Sequence, residues 1–362
     1  MCGISGIYAF SEAGKSTINK LEAATNAIES RGPDSSGTYV YGQAGLGHRR
    51  LSILDLTECG SQPMHDKSGR YTIVFNGEIF NYPELKKQLE AKGEEFKSTS
   101  DTEVLLRLYM LEGRTFLNKL NGFFAFAIHD IAEDTLFIAR DRFGQKPLLV
   151  YQDEDKLVFA SEMKALLAFG IPRKLDFTSV YQFLQLNYIP GPASIFENVQ
   201  KLTPGTSLFI KGGKVTHETW YKIPYNPEEV KNQKLTYEQQ QEKLVELLDK
   251  SVQRRMLSDV PLGAFLSGGI DSSVIVALAS RYTDKLNTFS IGYKDEPFFD
   301  ETKYAKLVAD KYKTNHTVFS LTNQDLFDHL FDVLDYIDEP FADSSALAVY
   351  ILSKRTREKV TV

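Results

Sequence analysis

Four strand-like segments follow one another closely between residues 123 and 160. They are Phe123–Ile128, Leu136–Ala139, Leu148–Tyr151 and Leu157–Ala160. Strands at this density, with few helices between them, indicate packed antiparallel sheets rather than a Rossmann unit. The first half of the chain is therefore predicted to be a sheet sandwich.

The second half of the chain has a different pattern. Residues 263–266 have the composition of a buried strand, and a serine- and glycine-rich loop and a helix follow at once. Strands and helices then alternate, which indicates a parallel sheet with helices on both faces. A chain of 362 residues is long enough for two domains. We predict a first domain over residues 2–215, a linker over 216–235 and a second domain over 236–362.

The composition is ordinary for a soluble enzyme. With 42 basic and 48 acidic residues the formal charge is -6, so there is no basic footprint for nucleic acid. Two cysteines argue against a disulfide framework and favour a reducing cytoplasm. The start does not resemble a signal peptide, and no stretch approaches the roughly 20 apolar residues of a membrane helix. We predict a cytoplasmic protein without nucleic-acid or membrane partners.

Cys2 directly follows the initiator methionine. If Met1 is removed, one residue carries both a thiol and a free α-amine, whose ordinary pKa values are roughly 8.5 and about 7.7–8.0. The amine can then act as the general base for its own thiol. Cys2 could instead be an incidental small buried residue.

Three other positions each allow two interpretations. Arg50 is either a surface arginine or a bidentate clamp for a carboxylate. Asn76-Gly77 is typical of a hairpin turn after a strand, but an Asn amide and a Gly N–H can also form an oxyanion hole. Asp101 is either the N-cap of a helix or a site residue.

The loop at 267–273, Ser-Gly-Gly-Ile-Asp-Ser-Ser, lies between a predicted strand and a predicted helix. Backbone N–H groups, hydroxyls and the helix dipole in such a loop can hold a phosphate. The lysine of a Walker A loop is missing. We predict a phosphate-binding loop of another kind.

Several motifs resemble, in the family's order, the glutaminase domain of the class II glutamine amidotransferases. They are Met1-Cys2-Gly3-Ile4, Arg31-Gly32-Pro33-Asp34, Arg50-Leu51-Ser52-Ile53, Asn76-Gly77-Glu78-Ile79, Ser100-Asp101-Thr102-Glu103, Ala139-Arg140-Asp141-Arg142-Phe143-Gly144 and Ala160-Ser161-Glu162-Met163-Lys164. The last two resemble the asparagine synthetase branch in particular. This resemblance implies an α/β two-domain protein whose first domain is an Ntn-type αββα antiparallel sandwich.

The resemblance also implies roles for individual residues. Cys2 would attack the side-chain amide of glutamine, with Asn76 and Gly77 as the oxyanion hole. The α-carboxylate and α-amino groups of glutamine would be bound by Arg50, Glu78 and Asp101, with backbone help from Leu51, Ser52 and Ile53. Cys59 matches no family motif.

The loop at 267–273 resembles the pyrophosphate loop of the N-type ATP pyrophosphatases. The ATP-binding residues implied are Leu266, Ser267, Gly268, Gly269, Asp271, Ser272 and Ile291, with Asp271 holding Mg²⁺ on the pyrophosphate oxygens. The family continues from a strand like 359–362 into a second loop rich in glycine and acidic residues. The C-terminal doubly wound parallel sheet is therefore expected to be incomplete.

The function implied is that of an ATP-dependent carbon–nitrogen ligase. It would release ammonia from glutamine, activate the β-carboxylate of aspartate as an acyl-adenylate and amidate it; a homodimer is left open. Residues 338–346 resemble a bacterial branch that also amidates peptidoglycan or saccharide uronic acids. Three further functions are compatible with part of the pattern: a fragment with glutaminase activity alone, a phosphoribosyl or sugar-phosphate amidotransferase, and a non-enzymatic relative that only binds glutamine.

Overall fold

The structure is a computed structural model and describes residues 2–362. The chain divides into two compact units. The first contains the chain up to Ile223 together with Asp338–Ala342, and the second contains Pro224–Ile337 and Asp343–Val362. The expected removal of Met1 concerns a residue outside the described range.

Two antiparallel sheets of six strands form the first unit. Its strands are β1 Gly3–Ala9, β2 Ser35–Tyr41, β3 Ala44–Arg50, β4 Met64–His65, β5 Tyr71–Ile79, β6 Gly122–Asp130, β7 Thr135–Arg140, β8 Leu149–Gln152, β9 Lys156–Ala160, β10 Val199–Lys201, β11 Thr206–Lys211 and β12 Lys214–Thr219. One sheet has the order β10-β8-β9-β1-β3-β2, and the other has the order β12-β11-β7-β6-β5-β4. The predicted domain end at residue 215 falls within β12, which pairs with β11 up to Thr219.

Helices cover the outer face of each sheet in the first unit. They are α1 Glu12–Lys15, α2 Leu21–Asn26, α3 Tyr82–Glu90, α4 Asp101–Glu112, α5 Met163–Ala168 and α6 Phe177–Leu186. Short 3₁₀ segments lie at Ser16–Lys20, Glu29–Arg31, Glu58–Gly60 and Gly113–Lys119.

Three apolar cores separate the layers of the first unit. Ile4 of β1 and Val74 of β5 belong to the core between the two sheets. Leu105 of α4 packs in the core behind the β5 sheet, and Leu166 of α5 packs in the core behind the β1 sheet. The layers are therefore helix, sheet, sheet and helix, and the predicted αββα sandwich is confirmed.

At two positions in this unit the structure excludes one of the two interpretations that the sequence left open. Asn76-Gly77 does not form a hairpin turn, because β5 continues through both residues to Ile79 and pairs with β6 throughout. Asp101 is not an N-cap either. Ser100 caps α4 by accepting the Thr102 N–H, which leaves the carboxylate of Asp101 available for another contact.

The second unit is built on three parallel strands in the order β13-β14-β15. The strands are β13 Gly263–Phe265, β14 Asn287–Tyr293 and β15 Asn315–Leu321. The helices are α7 Pro227–Lys231, α8 Tyr237–Arg255, α9 Ile270–Ala279, α10 Thr302–Tyr312, α11 Asn323–Asp328, α12 Leu330–Tyr336 and α13 Ser345–Arg357, with a 3₁₀ segment at Pro297–Phe299.

Helices lie on both faces of this parallel sheet. Val252 of α8, Val276 of α9 and Ala305 of α10 share one core, whereas Leu352 of α13 packs against Phe289 of β14 in another. This is the doubly wound arrangement that the alternating pattern predicts. Residues 359–362 are not a strand in the described structure, although the Val362 carbonyl accepts the Gly263 N–H at 2.8 Å.

Asp141 organises the turn that follows β7. Its carboxylate is buried and accepts four backbone N–H groups, from Phe124, Phe143, Gln145 and Lys146, at 3.0–3.2 Å. Each carboxylate oxygen accepts two of these N–H groups. The turn 141–146 is thereby fixed to the beginning of β6.

We expect Asp141→Ala to lower the free energy of unfolding of the first unit by about 3 kcal/mol, because several donors lose a charged acceptor. Asp153→Ala is the matched control. Asp153 also accepts two backbone N–H groups, in the β8–β9 turn, but it is more exposed, and we expect a loss of about 1 kcal/mol or less. Urea unfolding followed by the fluorescence of Trp220, the only tryptophan, measures both. Equal losses would contradict the role of Asp141.

Candidate active site

Cys2 lies immediately before β1, and its surroundings hold it from several sides. Its carbonyl accepts the Nε–H of Arg31 at 2.9 Å, and its thiol donates to the Leu51 carbonyl at 3.6 Å. The next strand residues are fixed too, because Ile4 donates its N–H to the hydroxyl of Ser161 at 3.0 Å. The candidate nucleophile is thus held in one place.

The surroundings of the thiol oppose its ionisation. Burial raises the pKa of Cys2, and the positive charges of Lys146 and Arg50 counteract this effect. A buried thiol is a weak nucleophile until a base or a nearby positive charge favours its thiolate. The thiol of Cys2 therefore needs a base or a nearby positive charge to become reactive.

Arg50 ends β3 and is almost completely buried. Its guanidinium donates to the carbonyls of Leu54, Asp55 and Thr57, and so shapes the loop after β3. An arginine has five N–H donors, so two of them lack a partner in the described part of the chain. Those two remain for an anionic ligand group.

Backbone contacts also hold the segment Leu51–Ile53. Ser52 donates its N–H to Asp34 Oδ2 at 2.8 Å, and Asp34 donates its own N–H to the Arg50 carbonyl at 3.0 Å. Gly32 lets this loop approach β3, because a Cβ there would lie 2.3 Å from the carbonyl carbon of Arg49. The Arg-Gly-Pro-Asp motif therefore supports the loop that contacts the Cys2 thiol.

Asn76 carries the least expected feature of this site. Its side chain is completely buried within β5, and neither atom of its amide has a hydrogen-bond partner among the described residues. Leaving such a group unpaired in a core costs roughly 1–3 kcal/mol. An unpaired buried amide of this kind suits a donor kept for a ligand. Gly77, the next residue, has no room for a side chain, because a Cβ would lie 2.3 Å from the Phe123 carbonyl.

His48 of β3 contacts Phe75 of β5, which is the residue before Asn76. Its Nε2 lies 3.1 Å from the Phe75 carbonyl oxygen, and burial lowers its pKa to about 3. The ring is therefore neutral and holds the two sheets together rather than transferring protons. No local pattern signals this contact, because it joins two different sheets.

Asp101 connects the start of α4 to the end of β5. Its Oδ2 accepts the Ile79 N–H at 2.9 Å, one residue after Glu78. Burial raises the pKa of Asp101 to about 6, although the bonds from Ile79 and Thr102 oppose this rise. Asp101 is thus placed next to Glu78, and its carboxyl group becomes charged above about pH 6.

Lys146 is a residue of this site that the sequence interpretation missed. It is buried, its ammonium nitrogen lies 4.2 Å from the centre of the Phe123 ring, and it interacts electrostatically with Cys2 and Glu78. The recognised motif ended at Gly144, two residues earlier. Only the turn fixed by Asp141 shows that position 146 faces the site.

In the second unit the loop 267–273 joins β13 to α9. The hydroxyls of Ser267 and Ser272 lie 3.0 Å apart, and the Gly269 N–H donates to Ser267 Oγ at 3.3 Å. Gly268 has a φ of +86°, and a Cβ there would lie 2.5 Å from the backbone nitrogen of Ala305. The loop is compact, and its hydroxyls and N–H groups are at the helix start, as the sequence predicts.

A cavity of about 420 Å³ lies beside this loop. Leu266, Ser267 and Ile291 line it, whereas Gly268, Gly269, Asp271 and Ser272 are not among its lining residues. Ile291 belongs to β14 and follows Ser290, whose hydroxyl donates to the Leu266 carbonyl. The predicted nucleotide residues therefore divide into a cavity wall and an exposed loop next to it.

The carboxylate of Asp271 is exposed in the first turn of α9. The described part of the chain has no group of three or more His, Cys, Asp or Glu side chains that could hold a metal ion. Mg²⁺ is commonly bound by one or two carboxylates together with substrate phosphates. One exposed carboxylate beside a phosphate-binding loop fits that mode of binding.

Comparisons with known proteins assign both parts of the chain. Residues 1–221 match the family described as a glutamine amidotransferase domain, and residues 243–362 match the family described as asparagine synthase. The described residues contain no helix with the length and apolar character needed to cross a membrane.

Individual relatives extend over the whole chain. A provisionally named glutamine-hydrolysing asparagine synthetase 2 of Methanocaldococcus jannaschii is 39% identical, over all of this chain and 73% of the relative. Glutamine-hydrolysing asparagine synthetase 1 of Bacillus subtilis is 35% identical, over all of this chain and 57% of the relative. Among solved structures, a glutamine phosphoribosylpyrophosphate amidotransferase of Bacillus subtilis gives a TM-score of 0.47 at 22% identity, over 62% of this chain and 50% of that one.

The chain therefore spans between half and three quarters of the length of these two sequence relatives. Both domain families follow in the same order along it. The chain belongs to the family of glutamine-hydrolysing asparagine synthetases, with a glutamine amidotransferase domain followed by an asparagine synthase domain.

Proposed function

We propose that this protein is a glutamine-dependent asparagine synthetase. Glutamine is hydrolysed at Cys2, and the ammonia released amidates an aspartate β-carboxylate that ATP has activated. Family membership supports both half-reactions. The observation that carries the proposal is the buried amide of Asn76, which has no hydrogen-bond partner in the described structure.

In the proposed first half-reaction the thiol of Cys2 attacks the amide carbon of glutamine. The α-amine of Cys2, free once Met1 is removed, takes the thiol proton and passes it to the leaving nitrogen. The carbonyl oxygen becomes an oxyanion, which the Asn76 amide and the Gly77 N–H stabilise. The C–N bond breaks and ammonia leaves, and water then hydrolyses the thioester to glutamate.

The charged groups of the site match the two ends of glutamine. The two remaining N–H groups of Arg50 suit its α-carboxylate, with backbone help from Leu51–Ile53. Glu78 and Asp101 suit its α-ammonium group. Because burial raises the pKa of Asp101 to about 6, glutamine binding weakens as the pH falls through that value.

In the proposed second half-reaction the loop 267–273 holds the pyrophosphate oxygens of ATP. The nucleotide contacts are Leu266, Ser267, Gly268, Gly269, Asp271, Ser272 and Ile291. Asp271 would hold Mg²⁺, whose charge neutralises the phosphate oxygens when ATP is bound. The products are pyrophosphate and an acyl-adenylate, which ammonia converts to an amide and AMP.

The cellular location, the assembly and the domain limits of the protein belong to the same proposal. Both cysteines are free thiols, which suits a reducing cytoplasm. Assembly as a homodimer rests on the family resemblance alone. The predicted domain limits, 2–215 and 236–362, remain proposals as well.

We expect Asn76→Ala to lower kcat for glutamine hydrolysis about 10²- to 10³-fold, because an oxyanion donor is lost. Its free energy of unfolding should fall by no more than about 1 kcal/mol, because the amide has no partner to lose. Glutamate release and urea unfolding measure the two quantities.

Gln62→Ala is the matched stability control for this test. Gln62 is also buried, but its amide accepts the Phe75 N–H at 2.6 Å and donates to the Thr102 hydroxyl at 3.3 Å. We expect its loss to cost about 2 kcal/mol. If Asn76→Ala kept full activity, the assignment of the oxyanion hole would be wrong.

The acceptor is tested by pyrophosphate release from ATP in the presence of glutamine. We expect release with aspartate, and a loss of at least about tenfold in Asp271→Asn, because the metal loses a charged ligand. Glutamine hydrolysis measured without ATP should be unchanged in that variant. Release with a saccharide uronic acid and not with aspartate would overturn the acceptor assignment.

A further inference from the structure

We propose that Asp338 is a positioning residue for Cys2, the proposed nucleophile. Its carboxylate holds the start of α5, and the start of α5 holds Cys2 through Glu162 and Arg31. Asp338 lies in the stretch that matches the asparagine synthase family, but the segment Asp338–Ala342 belongs to the first unit. The inference deepens the proposed function, and its kinetic test rests on that function.

Hydrogen bonds at both ends hold the segment Asp338–Ala342 on the first unit. At its start, Asp338 Oδ2 accepts the Met163 N–H at 2.6 Å. At its end, the Ala342 N–H donates to the Asn187 carbonyl at 2.9 Å. The side chain of Asp338 is largely buried, with 22% of its surface exposed. The carboxylate therefore has a fixed place at the start of α5.

The contact with Met163 supplies an acceptor that α5 does not have in its own sequence. The N-cap residue of α5 is Glu162, whose side chain makes no capping hydrogen bond. The first N–H groups of a helix have no acceptor within the helix, and the helix dipole favours a negative charge beside them. Asp338 provides this charge from 175 positions further along the chain. The backbone at Glu162 and Met163 is therefore held by Asp338.

Lys164 forms a second link between Asp338 and Glu162. Its ammonium nitrogen lies 3.1 Å from Glu162 Oε2, as an ion pair without hydrogen-bond geometry, and 3.9 Å from Asp338 Oδ1. All three side chains are partly or largely buried. Salt and water screen such pairs less than pairs on the surface. The two carboxylates are thus held around one ammonium group.

Glu162 in turn holds Arg31, which contacts Cys2. Glu162 Oε1 accepts the Nη1–H of Arg31 at 2.8 Å, and the Nε–H of Arg31 donates to the Cys2 carbonyl at 2.9 Å. Only 10% of the Arg31 side chain and 15% of the Glu162 side chain are exposed. Each step from Asp338 to Cys2 is therefore a direct contact. Without Asp338, Glu162 and Arg31 should be held less firmly, and the backbone of Cys2 with them.

The first test measures kcat and KM for glutamine hydrolysis in the whole chain. We expect Asp338→Ala to lower kcat at least about tenfold, because a displaced nucleophile reacts slowly. KM should change less than about twofold, because Asp338 is not among the groups proposed to bind glutamine. Asp338→Leu, a second variant without an acceptor, should behave in the same way. Asp338→Asn should recover most of the rate, because its amide oxygen can still accept the Met163 N–H.

A double-mutant cycle separates positioning from helix capping. If Asp338 acts through Glu162, Asp338→Ala should lower kcat much less in a Glu162→Gln background than in the parent protein, because contacts that act in series are not additive. A residue that only caps α5 would lower kcat by the same factor in both backgrounds. Such an equal loss would contradict the path through Glu162.

Asp176→Ala is the matched control. Asp176 caps α6 in the same unit, where its carboxylate accepts the Thr178 N–H at 3.0 Å and the Ser179 hydroxyl at 2.6 Å. These contacts lie at the start of α6 and do not lead to Cys2. We expect Asp176→Ala to lower the urea midpoint about as much as Asp338→Ala does, because each variant removes a helix cap, and to leave kcat unchanged.

Hydrogen exchange gives a second readout that does not need glutaminase activity. The Ile4 N–H donates to the hydroxyl of Ser161, the residue before Glu162. Looser packing of the start of α5 should therefore expose this amide to water more often. We expect at least about threefold faster exchange of the Ile4 amide in Asp338→Ala and no change in Asp176→Ala, measured by mass spectrometry of the N-terminal peptide.

The outcomes separate this inference from the proposed function. If the parent protein hydrolyses glutamine, an unchanged kcat in folded Asp338→Ala and Asp338→Leu overturns the role of Asp338. Loss of folding in both variants would assign Asp338 a structural role and overturn the inference as well. If the parent protein releases no glutamate, the proposed function is wrong, and the exchange of the Ile4 amide alone decides whether Asp338 holds the chain next to Cys2.

Discussion

The proposed glutamine site depends on the burial of the chain's first strand. β1 lies inside its sheet, between β9 and β3, so the residue before it enters a low-dielectric environment. That environment fixes Cys2 but raises the pKa of its thiol. The positively charged side chains near Cys2 offset part of this cost. Arg50 and Lys146 supply positive charge, and in the proposed mechanism Asn76 donates to the oxyanion.

Two buried polar groups of this site lower the stability of the protein when no ligand is bound. The Asn76 amide is buried without a partner among the described residues, and the Asp101 carboxyl is buried with a raised pKa. Such groups cost stability in the free protein, whereas a bound ligand would satisfy them. The neighbouring Gln62 shows the contrast, because both ends of its amide are bonded. The unpaired amide of Asn76 therefore fits its proposed role as a donor, whereas the bonded amide of Gln62 fits a structural role.

Short-range patterns predicted much of the fold but failed where pairing across the sheet was decisive. The strands at residues 123–160 and the strand, loop and helix around residues 263–279 were predicted from local composition. Asn76-Gly77 was ambiguous, because its turn preference is local and its pairing with Ala125 and Phe124 is not. Lys146 could not be found, because its position depends on the Asp141 turn. The family motifs identified most candidate residues. They could not show which N–H groups of Arg50 are used within the protein and which remain for a ligand.

The most direct measurement is covalent labelling with a glutamine analogue that has an electrophilic ketone in place of the side-chain amide. Mass spectrometry of the N-terminal peptide then locates the adduct. We expect a single adduct on Cys2, in a peptide that lacks Met1, and we expect excess glutamine to prevent it. An adduct confined to the exposed Cys59, or labelling of Cys2 that glutamine does not slow, would contradict the assignment of Cys2 as the nucleophile of a glutamine site.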